Sequence, residues 1–269
     1  MNPKISIITI SYNHKEGLEK TLKSVVSQDY KDFEYVVIDG GSTDGSKELL
    51  EKYSDKITSW VSEPDNGIYH ALNKGILSAT GDYLFFLNAG DLFIDESSLS
   101  LAAKEVHTED IIYFNIEVKG ENVNFVKECP SVLSFYFFYK DTLPHQATFM
   151  SAKSFKMNGL YDESLKIVAD WKWYFEAICF KNLTYKKVNE KFSTFFLDGI
   201  SSLNSEKVIA ERNKVLFTLP SVFTTDALEM DALKSELKEL QHFQRSYQHL
   251  KKYRLVKLLH QLKLINIPD

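Results

Sequence analysis

Cysteine is nearly absent: Cys129 and Cys179 are the only two in 269 residues, in neither a metal-ligand spacing nor a disulfide-rich pattern. The pair reads as buried thiols of a protein kept in a reducing cytosol. Long apolar runs are missing too. The longest, such as Tyr83 to Leu87 and Phe135 to Tyr139, fall far short of the roughly 20 residues that span a bilayer, so no transmembrane helix is expected. The opening MNPKISIITISYN has no basic region followed by an apolar signal segment, and the expectation is a cytoplasmic protein. Positive charge is not in excess. With 32 Lys and Arg against 37 Asp and Glu the net charge is −5, which argues against a nucleic-acid partner. GxGxxG and GxxxxGK[ST] are both lacking, which disfavours a dehydrogenase or an ATPase, and the histidines show no HExxH spacing. No internal repeat or low-complexity segment occurs.

What is present is an alternation of strand and helix signals. Ile5 to Ile10 is a β-rich apolar run, followed by a helix from about Lys15 to Gln28 with Leu18, Leu22, Val25 and Val26 on one face. Phe33 to Ile38 and a helix from Asp44 to Tyr53 repeat the unit. Ile57 to Val61 with Gly67 to Ser78 repeats it again, and a fourth strand, Tyr83 to Leu87, ends at Asn88-Ala89-Gly90-Asp91. This order predicts an α/β fold with a mainly parallel central sheet flanked by helices. Ligands of such sheets bind beyond the carboxyl ends of the strands. Tyr12, Asn13, Asp39, Glu63 to Asn66 and Asn88 to Asp91 therefore become the residues of interest. Later the pattern is less regular: strands at Ile111 to Glu117, Val123 to Lys127 and Leu183 to Val188, a helix from about Ala169 to Phe180, and a strongly helical stretch after Ser205.

The turn from Asp39 to Ser46, DGGSTDGS, puts a carboxylate at a strand end, where it can accept from a base N–H or a ribose hydroxyl beside helix N-terminal amides. Asp44 or Thr43 reads equally as a helix cap. Asn88-Ala89-Gly90-Asp91 reads either as a diphosphate or hard-cation site or as a plain turn. Asp170 suits a general base: it sits among Ile167, Val168, Ala169, Trp171 and Trp173, an apolar setting expected to raise its pKa. It also suits a helix cap. His145, in a Pro-His-Gln segment, can donate to an acceptor or a diphosphate, or make a structural hydrogen bond.

Taken together, ITISYN at 8 to 13, DGGSTDGS at 39 to 46, EPDNGIYHALNKGI at 63 to 76 and ATGDYLFFLNAGD at 79 to 91 resemble the inverting family 2 glycosyltransferases of GT-A fold. PHQATFM at 144 to 150, Ala169-Asp170-Trp171 and DGIS at 198 to 201 look like that family's acceptor-side segments. The resemblance implies sugar transfer from a nucleotide diphosphate sugar to a hydroxyl of a glycan or lipid-linked glycan, with inversion, as in bacterial polysaccharide biosynthesis. It places Tyr12 against the base, with Ile10 and Ser11 lining the pocket, and Asp39 accepting from a uracil-like base with Asp44 close by. Asp65 and Asn73 would face the sugar nucleotide. Asn88 and Asp91 would stand at the diphosphate, Asp170 would be the catalytic base, and His145 and Trp171 would lie on the acceptor side. Asn88-Ala89-Gly90-Asp91 occupies the place of the family's Asp-x-Asp segment, which holds a divalent cation, Mg²⁺ or Mn²⁺. Here Asp91 is its only carboxylate, and a single one suffices when substrate phosphates supply other oxygens. The departure keeps open a competing reading, a non-catalytic nucleotide-sugar-binding or scaffold protein. A nucleotidyltransferase is disfavoured because Ser11-Tyr12-Asn13-His14 is not a loop rich in Gly and Arg or Lys.

On this basis residues 1–108 form the nucleotide-sugar-binding half, 109–204 the acceptor-side half of the same domain, and 205–269 a helical C-terminal extension. From Asp231 onward eight Lys and Arg stand against four Asp and Glu. Arg245 to Leu264 carries no acidic residue, while Tyr253, Val256, Leu259 and Leu262 to Leu264 recur at helical spacing. Such a helix can lie on an anionic membrane surface, here the inner face, or dock on its own domain or a second subunit.

Overall fold

The computed structural model describes residues 3–197 and 204–250; DGIS at 198 to 201 and the basic segment from 251 onward lie outside them. The chain divides into two compact units, 1–218 and 219–269.

In the first unit, parallel strands β1 (Ile5–Ser11), β2 (Phe33–Asp39), β3 (Ser59–Ser62) and β4 (Tyr83–Phe86) lie in the order β3-β2-β1-β4. The intervening helices are α1 (Lys15–Val26), α2 (Ser46–Lys52) and α3 (Ile68–Ser78). The parallel half follows the sequence expectation closely. Beyond β4 the sheet changes sense, and these strands were not legible as a sheet in the sequence. It continues through β8 (Thr148–Ser151), antiparallel to β4, then β6 (Ile111–Lys119) and β9 (Tyr185–Phe196), with β5 (Leu92–Phe93) at the edge and β7 (Asn124–Lys127) on β6. The remaining helices are α4 (Ser98–Glu105), α5 (Phe135–Lys140), α6 (Ala152–Asn158), α7 (Ala169–Cys179) and α8 (Ser205–Leu216). The aromatic stretch at 135 to 139, left unassigned by its pattern, is helix α5, capped by the Ser134 hydroxyl accepting the Phe137 N–H. Helix α8 belongs to the first unit, unlike the sequence boundary at 205: the Glu211 carboxylate accepts the amides of Lys166 and Ile167, at 2.8 and 2.9 Å.

Both faces of the parallel strands are covered. Ile5, Ile7, Tyr35, Val37 and Phe85 pack with Leu18, Leu22 and Val25 of α1 in a core closed by Phe114, Phe149 and Phe192. On the other face α3 approaches β1 so closely that a Cβ on Gly75 would lie 2.5 Å from Ile8 Cγ2. A polar knot ties the opposite strand ends. Glu34 accepts from the Ser6 hydroxyl, the Thr80 N–H at 2.7 Å and the Thr80 hydroxyl at 2.9 Å.

Burial pushes the Glu34 carboxyl up, but the hydrogen bonds from Ser6 and Thr80 and the charge of Lys4 outweigh it and hold it below its ordinary value. A depressed folded-state pKa contributes stability that is fully present above the unfolded pKa and is lost as pH falls through the folded one. Glu34→Gln is therefore expected to cost about 1–3 kcal/mol at neutral pH, by leaving a buried donor unpaired. The gap to the parent protein should close in acid. Denaturant unfolding across pH checks this, and a gap that stays constant into acid would contradict it.

Candidate active site

The parallel register brings the chemistry to one edge. Ser11 pairs with Asp39 across β1 and β2, and Asp39 with Ser62 across β2 and β3. Asp39 is buried, and its carboxylate accepts from the Ser42 N–H at 2.9 Å, the Ser42 hydroxyl at 2.5 Å and the Ser62 hydroxyl at 2.7 Å. Ile10 is half-buried at the end of β1. Tyr12, just beyond it, is 66% exposed. Between Tyr12 and Asp65 lies Gly40, where a Cβ would stand 2.5 Å from Asp65 Oδ2 and 3.1 Å from Tyr12 Cδ2. The missing side chain lets these two groups approach. Asp65 Oδ1 accepts the Gly67 N–H at 2.8 Å at the start of α3.

Two of the named residues are structural brackets. Asp44 accepts the Lys15 N–H at 2.8 Å, and from Ser46 the N–H at 3.1 Å and the hydroxyl at 2.6 Å, so it joins the β2–α2 loop to the start of α1. Burial pushes its carboxyl up; the hydrogen bonds from Ser46 and Lys15 outweigh that and lower it. Asn73 is buried, with its amide bound to both backbone groups of Tyr161, at 2.9 and 3.0 Å, and to Glu163.

At the end of β4, Asn88 Nδ2 lies 3.1 Å from His145 Nε2. The other ring nitrogen of His145, Nδ1, is 3.5 Å from Asp170 Oδ2. Asp170 Oδ1 accepts the Tyr69 hydroxyl at 2.8 Å. A chain of polar contacts thus runs from α3 through the first turn of α7 to the strand end: Tyr69, Asp170, His145, Asn88. Thr21 of α1 fixes the turn itself, accepting the Gly90 N–H at 2.9 Å and donating to the Asp91 carbonyl at 2.9 Å. Asp91 is buried. Trp171 is a core residue: its indole N–H donates to the Phe138 carbonyl at 2.7 Å and its ring stacks on Phe175 at 5.4 Å. The Arg212 guanidinium of α8 covers it at 5.2 Å.

The apolar neighbours were expected to raise the Asp170 pKa, and the structure reverses this. Burial does push the carboxyl up, but the hydrogen bond and charge of His145, the Tyr69 hydroxyl and the Trp171 amide outweigh it, and the net shift is downward. His145 moves the other way. Burial pushes it down, and the hydrogen bond and charge of Asp170, with the charge of Asp91, carry it above its ordinary value.

Buried polar atoms without a partner locate the unfinished part of the molecule. Among the described residues there are five such atoms: Ser11 Oγ and Asn88 Oδ1 at the ends of adjacent strands β1 and β4, Arg212 Nε of α8, and, away from the strand ends, Asn158 Oδ1 and the Tyr174 hydroxyl. An unpaired buried polar atom costs roughly 1–3 kcal/mol, which a bound ligand recovers by bonding to it. Sequence reasoning missed Tyr69 and Arg212. Tyr69 reads as an apolar position of an amphipathic helix, and Arg212 as one charge among several on α8.

Comparison with known proteins gives the family and the fold. The sequence model described as Glycosyl transferase family 2 matches residues 6–160. An uncharacterized glycosyltransferase of Mycobacterium tuberculosis, Rv1514c, is 33% identical over 180 residues, 65% of this chain and 69% of its own. A PGL/p-HBAD biosynthesis glycosyltransferase of Mycobacterium bovis is 29% identical over 188 residues, 67% of this chain and 71% of its own. Among solved structures, TarS residues 1–349 of S. aureus in complex with UDP superposes with a TM-score of 0.59 at 23% identity, over 72% of this chain and 60% of that one. A mannosyltransferase of Pyrobaculum calidifontis in complex with GDP-Man and Mn²⁺ gives 0.56 at 17% identity, over 72% and 57%. These superpositions carry the fold.

The support beneath Asp170 gives a direct test. Asn73→Leu leaves the buried N–H and carbonyl of Tyr161 unpaired, so it should lower stability by about 1–3 kcal/mol for each group not rescued by water. Thermal unfolding measures this; an unchanged Tm would remove Asn73 from the support of the site.

Proposed function

Because the chain belongs to glycosyl transferase family 2 and is a glycosyltransferase, we propose that it moves one sugar from a nucleotide diphosphate sugar to a hydroxyl of a glycan or lipid-linked glycan, with inversion at the anomeric carbon. The observation that carries the reading is the convergence of a held carboxylate, Asp170, with the unfinished polar groups at the ends of β1 and β4. The PGL/p-HBAD biosynthesis glycosyltransferase supports glycosyl transfer as the reaction. The neighbours solved with UDP, UDP-GlcNAc and GDP-Man support a nucleoside diphosphate donor.

In this reading residues 1–108 take the donor and 109–204 present the acceptor. Ile10, Ser11, Tyr12 and Asp39 hold the nucleoside: Tyr12 offers an exposed ring for the base, and Asp39 accepts from it at the cost of one of its serine bonds. Asp65 faces the same opening, Asp44 and Asn73 shape it, and Asn88 and Asp91 meet the diphosphate. The acceptor hydroxyl attacks the anomeric carbon from the side opposite the leaving group. Its oxygen forms the new glycosidic bond as the bond to the diphosphate breaks, the electron pair leaves with the diphosphate, and the proton passes to Asp170. Tyr69 and His145 keep the carboxylate aimed and ionised at neutral pH, and the arriving diphosphate charge raises its affinity for the proton. Trp171 orients α7 rather than touching substrate.

For a divalent cation the fit is partial but of the right chemistry. Among the described residues no group of three His, Cys, Asp or Glu comes together to hold one. Asp91 and the unpartnered Asn88 Oδ1 are hard oxygen donors at the end of β4, suited to Mg²⁺ or Mn²⁺ that draws its other ligands from the diphosphate and water. When bound, the cation would neutralise the leaving diphosphate.

Asp170→Asn should lower kcat by about 10²- to 10⁴-fold with donor affinity nearly intact. Asp91→Asn should instead weaken nucleoside diphosphate binding, and the more so in Mn²⁺ than in EDTA. Full turnover of Asp170→Asn on an accepted sugar acceptor would sink the assignment of the base.

Among the described residues no helix is long and apolar enough to cross a membrane. The basic segment from Arg245 to Leu264 supports contact with an anionic membrane at its cytoplasmic face. Replacing Lys251, Lys252, Arg254 and Lys257 by Gln should reduce sedimentation with anionic vesicles, and salt should do the same to the parent protein. Equal sedimentation of the two proteins would rule out this contact.

A further inference from the structure

The second unit is described from 219 to 250, and there it is one helix, α9 (Ser221–Leu250). Its apolar residues are not arranged for a globular core. Met230, Leu233, Leu237 and Leu240 follow one another at alternating spacings of three and four, and Leu233, Leu237 and Leu240 are 61%, 54% and 65% exposed. This is the a and d pattern of a coiled coil, with Met230, Leu237 and Gln244 at a and Leu233, Leu240 and Tyr247 at d. Phe223 occupies the a position one heptad earlier, with Asp226 as a polar interruption at d. A contiguous exposed stripe of large apolar side chains marks an interaction face.

We propose that α9 pairs in parallel with α9 of a second copy of this chain, as a two-stranded coiled coil. Three features select this occupant. The spacing is that of a helix packing on its own kind, because a 3.5-residue repeat keeps one seam facing a like partner along its length. The flanking charges choose the direction. Glu229 falls at g and Lys234 at e, so a parallel pair sets Glu229 beside Lys234 of the partner subunit, whereas an antiparallel pair turns the g positions Glu229 and Glu236 toward like charge. Gln244, polar at an a position, fixes register at a cost in stability. Acidic residues count against an anionic lipid surface as the occupant, since Glu229, Asp231, Glu236 and Glu239 all lie along the same stretch. The basic residues that favour such a surface lie mostly further on. The seam from Met230 to Tyr247 is shorter than the three to four heptads of a stable isolated coiled coil, so the dimer is concentration-dependent.

Sedimentation equilibrium of the full chain over a dilution series tests the inference. The expected result is a reversible rise in mass toward two copies. Leu237→Asp should hold the chain at the mass of one copy without lowering the Tm of the first unit, since Leu237 is exposed in a single copy. Glu229→Lys and Lys234→Glu should each weaken the dimer, and the two together should restore it. Gln244→Cys should cross-link two copies under oxidation, because only a parallel pair brings the two a positions together. A parent chain that stays at one copy throughout, a mass unaffected by Leu237→Asp, or no rescue by the double charge exchange would overturn it. So would a Leu237→Asp protein of unchanged mass that no longer sediments with anionic vesicles, which would make the stripe a lipid-facing surface.

Discussion

Parallel pairing of β1 with both β2 and β4 is the constraint on which the site depends. All three strands run the same way, so the loops after Ser11, Asp39 and Phe86 leave one edge of the sheet, although they are far apart in sequence. Register then sets which side chains are level, and a slip by one residue would turn Asp39 from Ser11 and Ser62 to the opposite face. The register is locked from several directions. Gly75 admits Ile8 at a distance no other residue would allow, and the Glu34 knot ties the far ends of the strands. At the near ends, Asn13 exchanges bonds with Ser42 and Thr43 at 2.7 and 2.9 Å, and Asp44 reaches the first amide of α1. The loops that form the edge are therefore braced by one another rather than by the sheet alone.

The position of Asp170 rests on a longer chain of contacts. Asn73 of α3 binds both backbone groups of Tyr161, the Tyr161 ring packs on Tyr69 at 5.6 Å, and the Tyr69 hydroxyl bonds the carboxylate. From the other side, the turn carrying His145 is fastened to β9 by the Ser193 hydroxyl, which donates to the Gln146 carbonyl. A carboxylate that is buried but given donors on both oxygens stays ionised, whereas burial alone would neutralise it. The balance between burial and donors sets the charge of Asp170, and it is decided by His145 and Tyr69, not by the apolar residues adjacent in sequence.

That contrast explains what was legible. The parallel half was readable because β1, β2 and β4 are mostly buried, largely apolar runs and each loop carries polar residues at a predictable place. Asp39, Tyr12 and the turn from Asn88 to Asp91 lie where the pattern put them, at or just past the strand ends. The antiparallel half was less readable: β5 has two residues and β8 four, too few for a period, and β9 runs past Val188 through Asn189, Glu190 and Lys191, where its register against β6 shifts. The pKa of Asp170 was misjudged because Tyr69, 101 residues earlier, and His145, 25 earlier, are neighbours only after folding. Asn73 and Asp44 carried no mark distinguishing a ligand contact from a bracket, since the same amide or carboxylate serves either.

Charge at the strand ends has its own logic. The carboxylates of Asp39, Asp65 and Asp170 are answered by neutral donors or by His145: serine hydroxyls for Asp39, a backbone amide for Asp65, and Tyr69 with His145 for Asp170. Position 88, where the family pattern has a carboxylate, is a neutral amide in contact with the far nitrogen of His145. A carboxylate there would set a second negative charge beside the imidazole, at the nitrogen opposite the one that faces Asp170. With an amide no further charge is added there, and Asn88 retains a buried oxygen without a partner. The departure from the family's acidic motif and the hold on Asp170 thus meet at one side chain, His145.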